Sequence, residues 1–441
     1  MQHRSLAVVA LVSVQVGLFQ PAWGSCPSLD ESQFPVMSRY LTIKAEDVSR
    51  SCRTVANGGT GTALNTSTCG DIVVYVPPPE VALRDDLFVY LQGSGSSPHQ
   101  SEHLLQMAAY AGYRTIGLSY EQRETIGSVC TGGIMGSCTS DYRNECSYYH
   151  RKEKITGVDD LRTGGIHGPF QVEDSILYRL YAALDLLQSY DTTGGDDDTG
   201  AGGVDDDWSW DQYCYHNGES FANGVVLTFT PGYSGTVARA TDMSLIRWEK
   251  LVMAGWSQGA GHSVLIGLEN ELSGMVMLDG PADSCDNTSG AQSGAATAPR
   301  VLSGYYKAIT SGGWASDAAG KFGAWHEGSP SGLRPGSWVE LGLPQSLDQD
   351  WDLEVATAEP GGPQSGLPAL ASATLATNQN HPMVADCSPH SSMALGTPGT
   401  DASSMSGGCM PTDATGGVQA MAPQEAHLFE AYVAGFCAAG D

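Results

Sequence analysis

The chain has 441 residues, of which 41% are hydrophobic, so it can bury a large core. Its formal net charge of -28 argues against binding to nucleic acid, whose phosphates it would repel, and against docking on anionic lipid. Aspartate and glutamate together number 49, so most of them must be solvated surface residues rather than functional groups.

The N-terminus has the features of a secretory signal. A positive charge at Arg4 precedes an apolar stretch over residues 6–19, which is too short for a comfortable membrane span. Residues 22–24 resemble a small-x-small cleavage site, so we expect residues 1–24 to be removed and the protein to be secreted or periplasmic. The alternative is a lipoprotein anchored through Cys26. No later segment is apolar enough to span a bilayer, so we predict no stable membrane span.

The chain contains 11 cysteines, which in an exported protein indicate disulfide bonds. Three of them, Cys130, Cys138 and Cys146, lie in one loop that is rich in glycine, serine and threonine and that a disulfide could staple. The pairing does not follow from the sequence, and the odd count leaves one thiol over. No C-x-x-C pair is present, so the cysteines give little indication of a metal site.

Apolar strands alternate with helical segments along most of the chain. A polar extension over residues 25–70 comes first, and we expect it to wrap over the core. The predicted strands cover residues 71–77, 87–91, 113–120, 251–254, 274–278, 322–325 and 370–377. The predicted helices cover residues 102–111, 174–190, 263–268 and 424–438. This alternation predicts one α/β domain over residues 71–441, with a mostly parallel sheet flanked by helices and several loop insertions.

Residues 191–208 form an acidic, glycine-rich insert. Two runs of three aspartates, at 196–198 and 205–207, lie among glycines, and this composition is typical of a disordered, solvated loop. Clustered carboxylates also suit calcium, but their spacing matches no calcium-binding loop.

The strongest functional motif lies in residues 251–262. An apolar run ends in Gly255-Trp256-Ser257-Gln258-Gly259, a G-x-S-x-G motif between a predicted strand and a predicted helix. We call this strand–turn–helix segment, residues 251–262, the nucleophile elbow, or elbow. In this context the turn forces Ser257 into a strained backbone conformation, and a Cβ at Gly255 or Gly259 would collide with the neighbouring strand or helix. Ser257 is therefore the candidate nucleophile, at a helix N-terminus that favours developing negative charge. The alternative is a serine that merely caps the helix.

A serine nucleophile needs a base, and the base needs an acid that orients it. After an elbow of this kind the chain order is nucleophile, acid, base, so the base must follow Ser257. His381 follows the last predicted strand in a polar loop and is the preferred base, with His390 and His326 as alternatives. His262 lies on the same helix as the serine and cannot reach back over the turn, so we expect it to be a packed or capping residue.

The acid has two candidates. Glu327 follows the penultimate predicted strand, where the chain order places a carboxylate, and is preferred. Asp283 follows the strand before that and is the alternative acid. Each also has a simpler explanation, as solvated surface for Glu327 and as a turn residue for Asp283.

The oxyanion hole requires two backbone N–H groups aimed at the carbonyl oxygen of the substrate. One is expected from Gln258, the residue after the nucleophile, and the other from Ser94 or Gly95 in the glycine-rich loop after strand 87–91. That loop lacks the lysine of a phosphate-binding P-loop. The predicted chemistry requires no metal and no organic cofactor.

At these residues the chain resembles the α/β-hydrolase superfamily. More narrowly, it resembles a group of exported bacterial α/β hydrolases in five motifs: residues 93–98, Arg151-x-Glu153, residues 255–262, Gly280-Pro281-x-Asp283 and His381-x-x-Val384-x-Asp386. The resemblance spans roughly residues 71–390, and only the elbow is highly specific. It implies an α/β-hydrolase fold with Ser257 as the nucleophile and His381 as the base.

The resemblance leaves the acid open. The group usually carries an aspartate three residues after the histidine that matches His326, but Ser329 stands there in this chain. The elbow is also similar to that of cutinases, whose acid stands just before a cysteine, as Asp283 stands near Cys285. Glu327 and Asp283 therefore both stay candidates.

Together these features predict a secreted serine hydrolase that cleaves a small-molecule or polymeric carboxylic ester through an acyl-enzyme on Ser257. The first alternative is a non-catalytic protein of hydrolase fold that binds a ligand in the cleft, since the triad departs from the usual pattern. The second is a peptidase or amidase on the same fold. We expect the acidic insert and the 130–170 loop to form the sides of the cleft, but neither contains a motif that indicates a particular substrate.

Overall fold

The computed structural model describes residues 40–49, 52, 69–122, 126, 146–157, 172–192, 210–214, 246–278, 280, 315–316, 320–326, 372–377, 433, 435–437 and 439–440. The strands in these residues are β1 (Leu41–Ile43), β2 (Ile72–Tyr75), β3 (Leu87–Leu91), β4 (Arg114–Leu118), β5 (Leu251–Trp256), β6 (Gly274–Leu278), β7 (Gly320–His326) and β8 (Ser372–Thr377). The helices are α1 (Ala45–Val48), α2 (Glu102–Tyr110), α3 (Cys146–Thr156), α4 (Ile176–Thr192) and α5 (Gln258–Glu269). The predicted signal at 1–24 and nearly all of the insert at 191–208 lie outside the described residues.

All eight strands form one sheet in the order β1-β2-β4-β3-β5-β6-β7-β8. The strands from β3 to β8 run parallel to one another, whereas β1 and β2 are antiparallel to their neighbours. The architecture is therefore a mostly parallel sheet flanked by helices, which agrees with the predicted α/β class.

Alternate residues of each central strand point into two hydrophobic cores, one on each face of the sheet. In β3, Leu87, Val89 and Leu91 enter the core that holds residues of α4 and α5. Phe88 and Tyr90 enter the opposite core, with residues of α2 and the helical residues near the C-terminus. Because both faces of β3 are covered, its whole run Leu-Phe-Val-Tyr-Leu is apolar and buried.

Three of these elements, β1, α1 and α3, were not predicted. β1 pairs antiparallel with β2 and brings part of the polar extension into the sheet. α3 is buried at nine of its positions, although its sequence is rich in polar and charged residues. The elbow helix α5 also begins at Gln258, earlier than the predicted stretch at 263–268.

A disulfide between Cys52 and Cys69 closes a loop within the extension, and Cys69 lies just before β2. Cys146 and Cys437 are each disulfide-bonded as well, so the prediction that this chain forms disulfides is confirmed. Among the described helices, none combines the length and apolar character needed to cross a bilayer.

Candidate active site

The sheet has a topological switch point at β3. The chain passes from β3 to β4 on one side and later places β5 on the other side. In parallel α/β sheets, ligands bind in the crevice outside the carboxyl ends of the strands at such a point. The register pairs Leu91 at the end of β3 with Gly255 in β5, so the loop at Gly93 and Ser94 leaves the sheet beside the elbow at Ser257.

Ser257 occupies the turn between β5 and α5 in a conformation that non-glycine residues rarely adopt. Its φ is 54° and its ψ is -116°. Among the described residues it is the only non-glycine residue with a positive φ. Its side chain makes no capping hydrogen bond to α5, so the alternative of a purely capping serine has no support in the geometry. A strained backbone of this kind costs about 1–3 kcal/mol and persists only where the surrounding structure enforces it.

Close backbone packing holds the elbow in place. A Cβ on Gly255 would lie 2.3 Å from the carbonyl carbon of Gly259, and a Cβ on Gly259 would lie 2.1 Å from the carbonyl oxygen of Leu91. The Ser257 N–H donates to the carbonyl oxygen of Leu278 at the end of β6, at 2.9 Å. The expected collisions with the neighbouring helix and strand are thus confirmed, and both glycines let α5 start directly behind β3 and β5.

The two residues predicted to supply oxyanion N–H groups lie next to each other. The hydroxyl of Ser94 donates to the side-chain carbonyl of Gln258, which connects the β3 loop to the first residue of α5. Gly93 packs so closely that a Cβ there would be 2.6 Å from the Trp256 ring and 3.0 Å from the Ser257 Cβ. The structure therefore brings Ser94, Ser257 and Gln258 together at the switch point.

The remaining predicted triad residues lie outside the described residues. These are His381 and its alternative His390, and the acids Glu327 and Asp283. The strands that precede them do reach the same edge of the sheet: His326 at the end of β7 pairs in register with Thr377 at the end of β8. The roles of base and acid accordingly stay predictions. In the part of the chain that the structure describes, no group of three or more His, Cys, Asp or Glu side chains is arranged to hold a metal ion.

His262 is packed under the elbow, as expected. It is fully buried, and its ring makes an edge-on contact with Tyr120, with ring centroids 5.5 Å apart. Neither ring nitrogen has a hydrogen-bond partner among the described residues. Burial lowers the pKa of His262 well below its ordinary value, and the charges of Arg151, His150 and Lys154 lower it further. The imidazole is therefore neutral at physiological pH.

A layer of buried polar side chains lies behind the elbow and was not predicted as part of the site. Arg151 of α3 donates from Nη1 to the carbonyl oxygen of Gln258, at 3.2 Å. The hydroxyl of Tyr120 donates to the carbonyl oxygen of Gln92, at 2.7 Å. These contacts join residues that are far apart in sequence, so no local pattern predicts them. Of the residues involved, Arg151 was named from the sequence, as part of the motif Arg151-x-Glu153.

We expect His262 to make the protein less stable as the pH falls below about 6.5, the ordinary pKa of histidine. The unfolded chain binds a proton in that range, whereas the folded protein does not, so the free energy of unfolding decreases by up to about 1.4 kcal/mol per pH unit. His262→Leu removes this contribution, and leucine has a side-chain volume similar to that of histidine. Denaturant unfolding of the wild type and of His262→Leu across this pH range measures the contribution. Above about pH 7.5 the difference in stability between the two should be constant. The prediction would be contradicted if, below about pH 6.5, the free energy of unfolding changed with pH equally in both proteins.

Comparison with known proteins adds no family assignment. No protein-family model matches the chain, and no curated protein is detectably similar to it in sequence. A fold by itself does not determine a function, so the function has to be argued from the residues of the site.

Proposed function

We propose that this chain is an exported α/β hydrolase that cleaves carboxylic esters through an acyl-enzyme on Ser257. The observation that carries the proposal is the backbone of Ser257, held at a φ of 54° in a strand–turn–helix at the switch point of the sheet. A serine that only capped the helix would need neither the strain nor the glycines packed around it. A nucleophile on a strand–turn–helix of this kind has both, because the sharp turn exposes its hydroxyl at the end of the sheet.

In the proposed reaction, the hydroxyl of Ser257 attacks the carbonyl carbon of the ester while His381 accepts its proton. Glu327, or Asp283 as the alternative acid, orients the imidazole and stabilises its charged form. The backbone N–H groups of Ser94 and Gln258 bind the oxyanion of the tetrahedral intermediate. The intermediate collapses to an ester on Ser257, and the leaving alcohol takes its proton from His381. Water then attacks the acyl-enzyme by the same route and releases the acid.

Export is part of the proposal. The signal-like residues 1–24 support it, and so does the disulfide between Cys52 and Cys69, because disulfides persist in oxidising compartments. The strongly negative net charge would keep such a protein soluble outside the cell.

A fluorophosphonate probe tests the proposal directly on the purified protein. We expect the probe to modify the folded protein once, on the tryptic peptide that contains Ser257, and to leave Ser257→Ala and heat-unfolded protein unlabelled. The same preparations should hydrolyse short-chain p-nitrophenyl esters faster than peptide anilides, which separates an esterase from an amidase. Equal labelling of wild type and Ser257→Ala would overturn the assignment of the nucleophile. A folded wild-type protein that neither reacts with the probe nor hydrolyses esters would indicate a binding protein instead.

A further inference from the structure

The guanidinium of Arg151 lies directly under the first turn of α5. The residue is 1% exposed, although it belongs to a helix rich in charged side chains. Besides its hydrogen bond to the carbonyl of Gln258, it covers the backbone of Gly261. A Cβ at Gly261 would lie 2.1 Å from Nη1, 2.2 Å from Cζ and 2.3 Å from Nη2, so the guanidinium approaches with its face. Any side chain at position 261 would displace it.

This placement is unfavourable for the helix alone. The N-terminal turn of a helix carries partial positive charge and favours anions, so a cation there is electrostatically destabilising. Burying a guanidinium adds a desolvation cost. The dipole of α5 therefore does not by itself favour a guanidinium at this turn.

The same charge becomes favourable once an anion forms above the turn. The oxyanion of a serine hydrolase develops next to the N–H of the residue after the nucleophile, which is Gln258 here. Arg151 holds the next peptide group of the chain through the carbonyl of Gln258, so it restricts the orientation of the residue whose N–H is the candidate donor. In a buried, low-dielectric environment, a fixed positive charge bound to the donor residue strengthens the interaction of that residue with an anion.

We propose that Arg151 is a positioning residue for the oxyanion hole, which orients Gln258 through its carbonyl and favours the negative charge that develops at Ser257. The inference rests on the proposed function of Ser257 and adds a role for α3, a helix outside the elbow. Its physical consequence is selective: Arg151 stabilises the charged intermediate and contributes little to binding of the neutral ester.

Arg151→Gln tests this inference, with Lys152→Gln as the matched control. Lys152 is the next residue of the same helix, but it is partly exposed and pairs with Glu269 at the surface. We expect Arg151→Gln to lower kcat by about 10- to 100-fold with KM changed less than about 3-fold, and Lys152→Gln to leave both unchanged. Arg151→Lys keeps the charge but not the planar fork, so it should recover part of kcat. Gly261→Ala should lower kcat as well, because it displaces the guanidinium without removing it.

Two readouts separate this role from a structural one. The affinity of a boronic acid, which forms a tetrahedral anion on Ser257, should fall in Arg151→Gln by the same factor as kcat, while the affinity of a neutral amide analogue of the ester stays constant. In Arg151→Ala, guanidinium ion below the concentration that unfolds the protein should restore activity, which a misfolded variant cannot regain. Unchanged boronic acid affinity in Arg151→Gln, or a loss that raises KM alone, overturns the inference. If wild type itself shows no labelling of Ser257 and no boronic acid binding, the proposed function fails and this role fails with it.

Discussion

Replacing Ser257 with alanine is expected to lower kcat for ester hydrolysis by roughly 10³- to 10⁶-fold while the protein stays folded. Without the hydroxyl no acyl-enzyme forms, and the residual rate comes from the oxyanion hole and substrate binding alone. Alanine keeps the Cβ of serine, so the packing of the elbow against β6 and α5 does not change. Steady-state kinetics with a p-nitrophenyl ester measure the loss, and a drop smaller than about 10-fold would show that another group is the nucleophile.

Ser257→Gly should be equally inactive but more stable than Ser257→Ala. Alanine retains the strain of a φ of 54°, whereas glycine adopts this conformation freely. The strain is worth about 1–3 kcal/mol, and the greater freedom of glycine in the unfolded chain offsets about 0.4–1 kcal/mol of it. Denaturant unfolding should therefore show the glycine variant to be about 1 kcal/mol more stable than the alanine variant.

Ser263 provides the control for this comparison. It lies within α5, where the backbone is helical, and its hydroxyl bonds to the carbonyl oxygens of Ala254 and Gly259. Both Ser263→Ala and Ser263→Gly lose these bonds, but glycine is about 1 kcal/mol less favourable than alanine inside a helix. The order of stability should thus reverse between the two positions. The same order at both would mean that no strain is stored at Ser257.

The parts of the fold that could be predicted are those whose signal is local. The limits of β3 and β6 match their predictions, because central strands buried on both faces are continuous apolar runs bounded by turns. The helix α3 was missed because it buries charged residues such as Arg151 and Lys154, so it lacks the apolar periodicity that identifies helices. β1 has only three residues, and it is a strand because it pairs with β2, about 30 positions later.

The residues of the candidate site also differ in whether a local sequence pattern predicts their contacts. The strained serine and the two closely packed glycines follow from the motif, because a strand–turn–helix of this kind brings Gly255 against Gly259 and Gly259 against the neighbouring strand at Leu91. Arg151 meets Gln258 across 107 positions, and no pattern within either segment specifies that meeting. The base and the acid were placed by chain order alone, which indicates the edge of the sheet but not the contact between two side chains.

A buried ion pair between Asp174 and Arg179 joins the polar extension to the core. Asp174, which precedes α4, accepts from Nη2 of Arg179 and from the hydroxyl of Ser49, each at 2.7 Å. Arg179 is fully buried and also donates from Nη1 to the hydroxyl of Ser119, just after β4, at 2.9 Å. Its Nη2 lies 3.4 Å from Sγ of Cys52, in the disulfide of the extension. One carboxylate therefore neutralises a buried cation where the extension, β4 and α4 meet.

We expect Asp174→Asn to lower the free energy of unfolding by about 3–5 kcal/mol, because it leaves the Arg179 charge buried without a counterion. Lys44→Ala is the control: its pair with Asp71 has side-chain exposures of 58% and 21%, and such surface pairs are worth less than about 1 kcal/mol. Denaturant midpoints with unchanged m-values report both.

The double variant Asp174→Leu, Arg179→Met distinguishes an ion pair that stabilises the fold from one that is merely costly to break. Apolar residues of similar size remove both desolvated charges at once, and such exchanges are often neutral or stabilising. We therefore expect the double variant to be more stable than Asp174→Asn, even though Ser49 and Ser119 each lose a partner. If Asp174→Asn costs no more than Lys44→Ala, the charge of Arg179 is compensated elsewhere. If the double variant is the least stable of the set, the pair itself contributes net stability and joins the extension to the sheet.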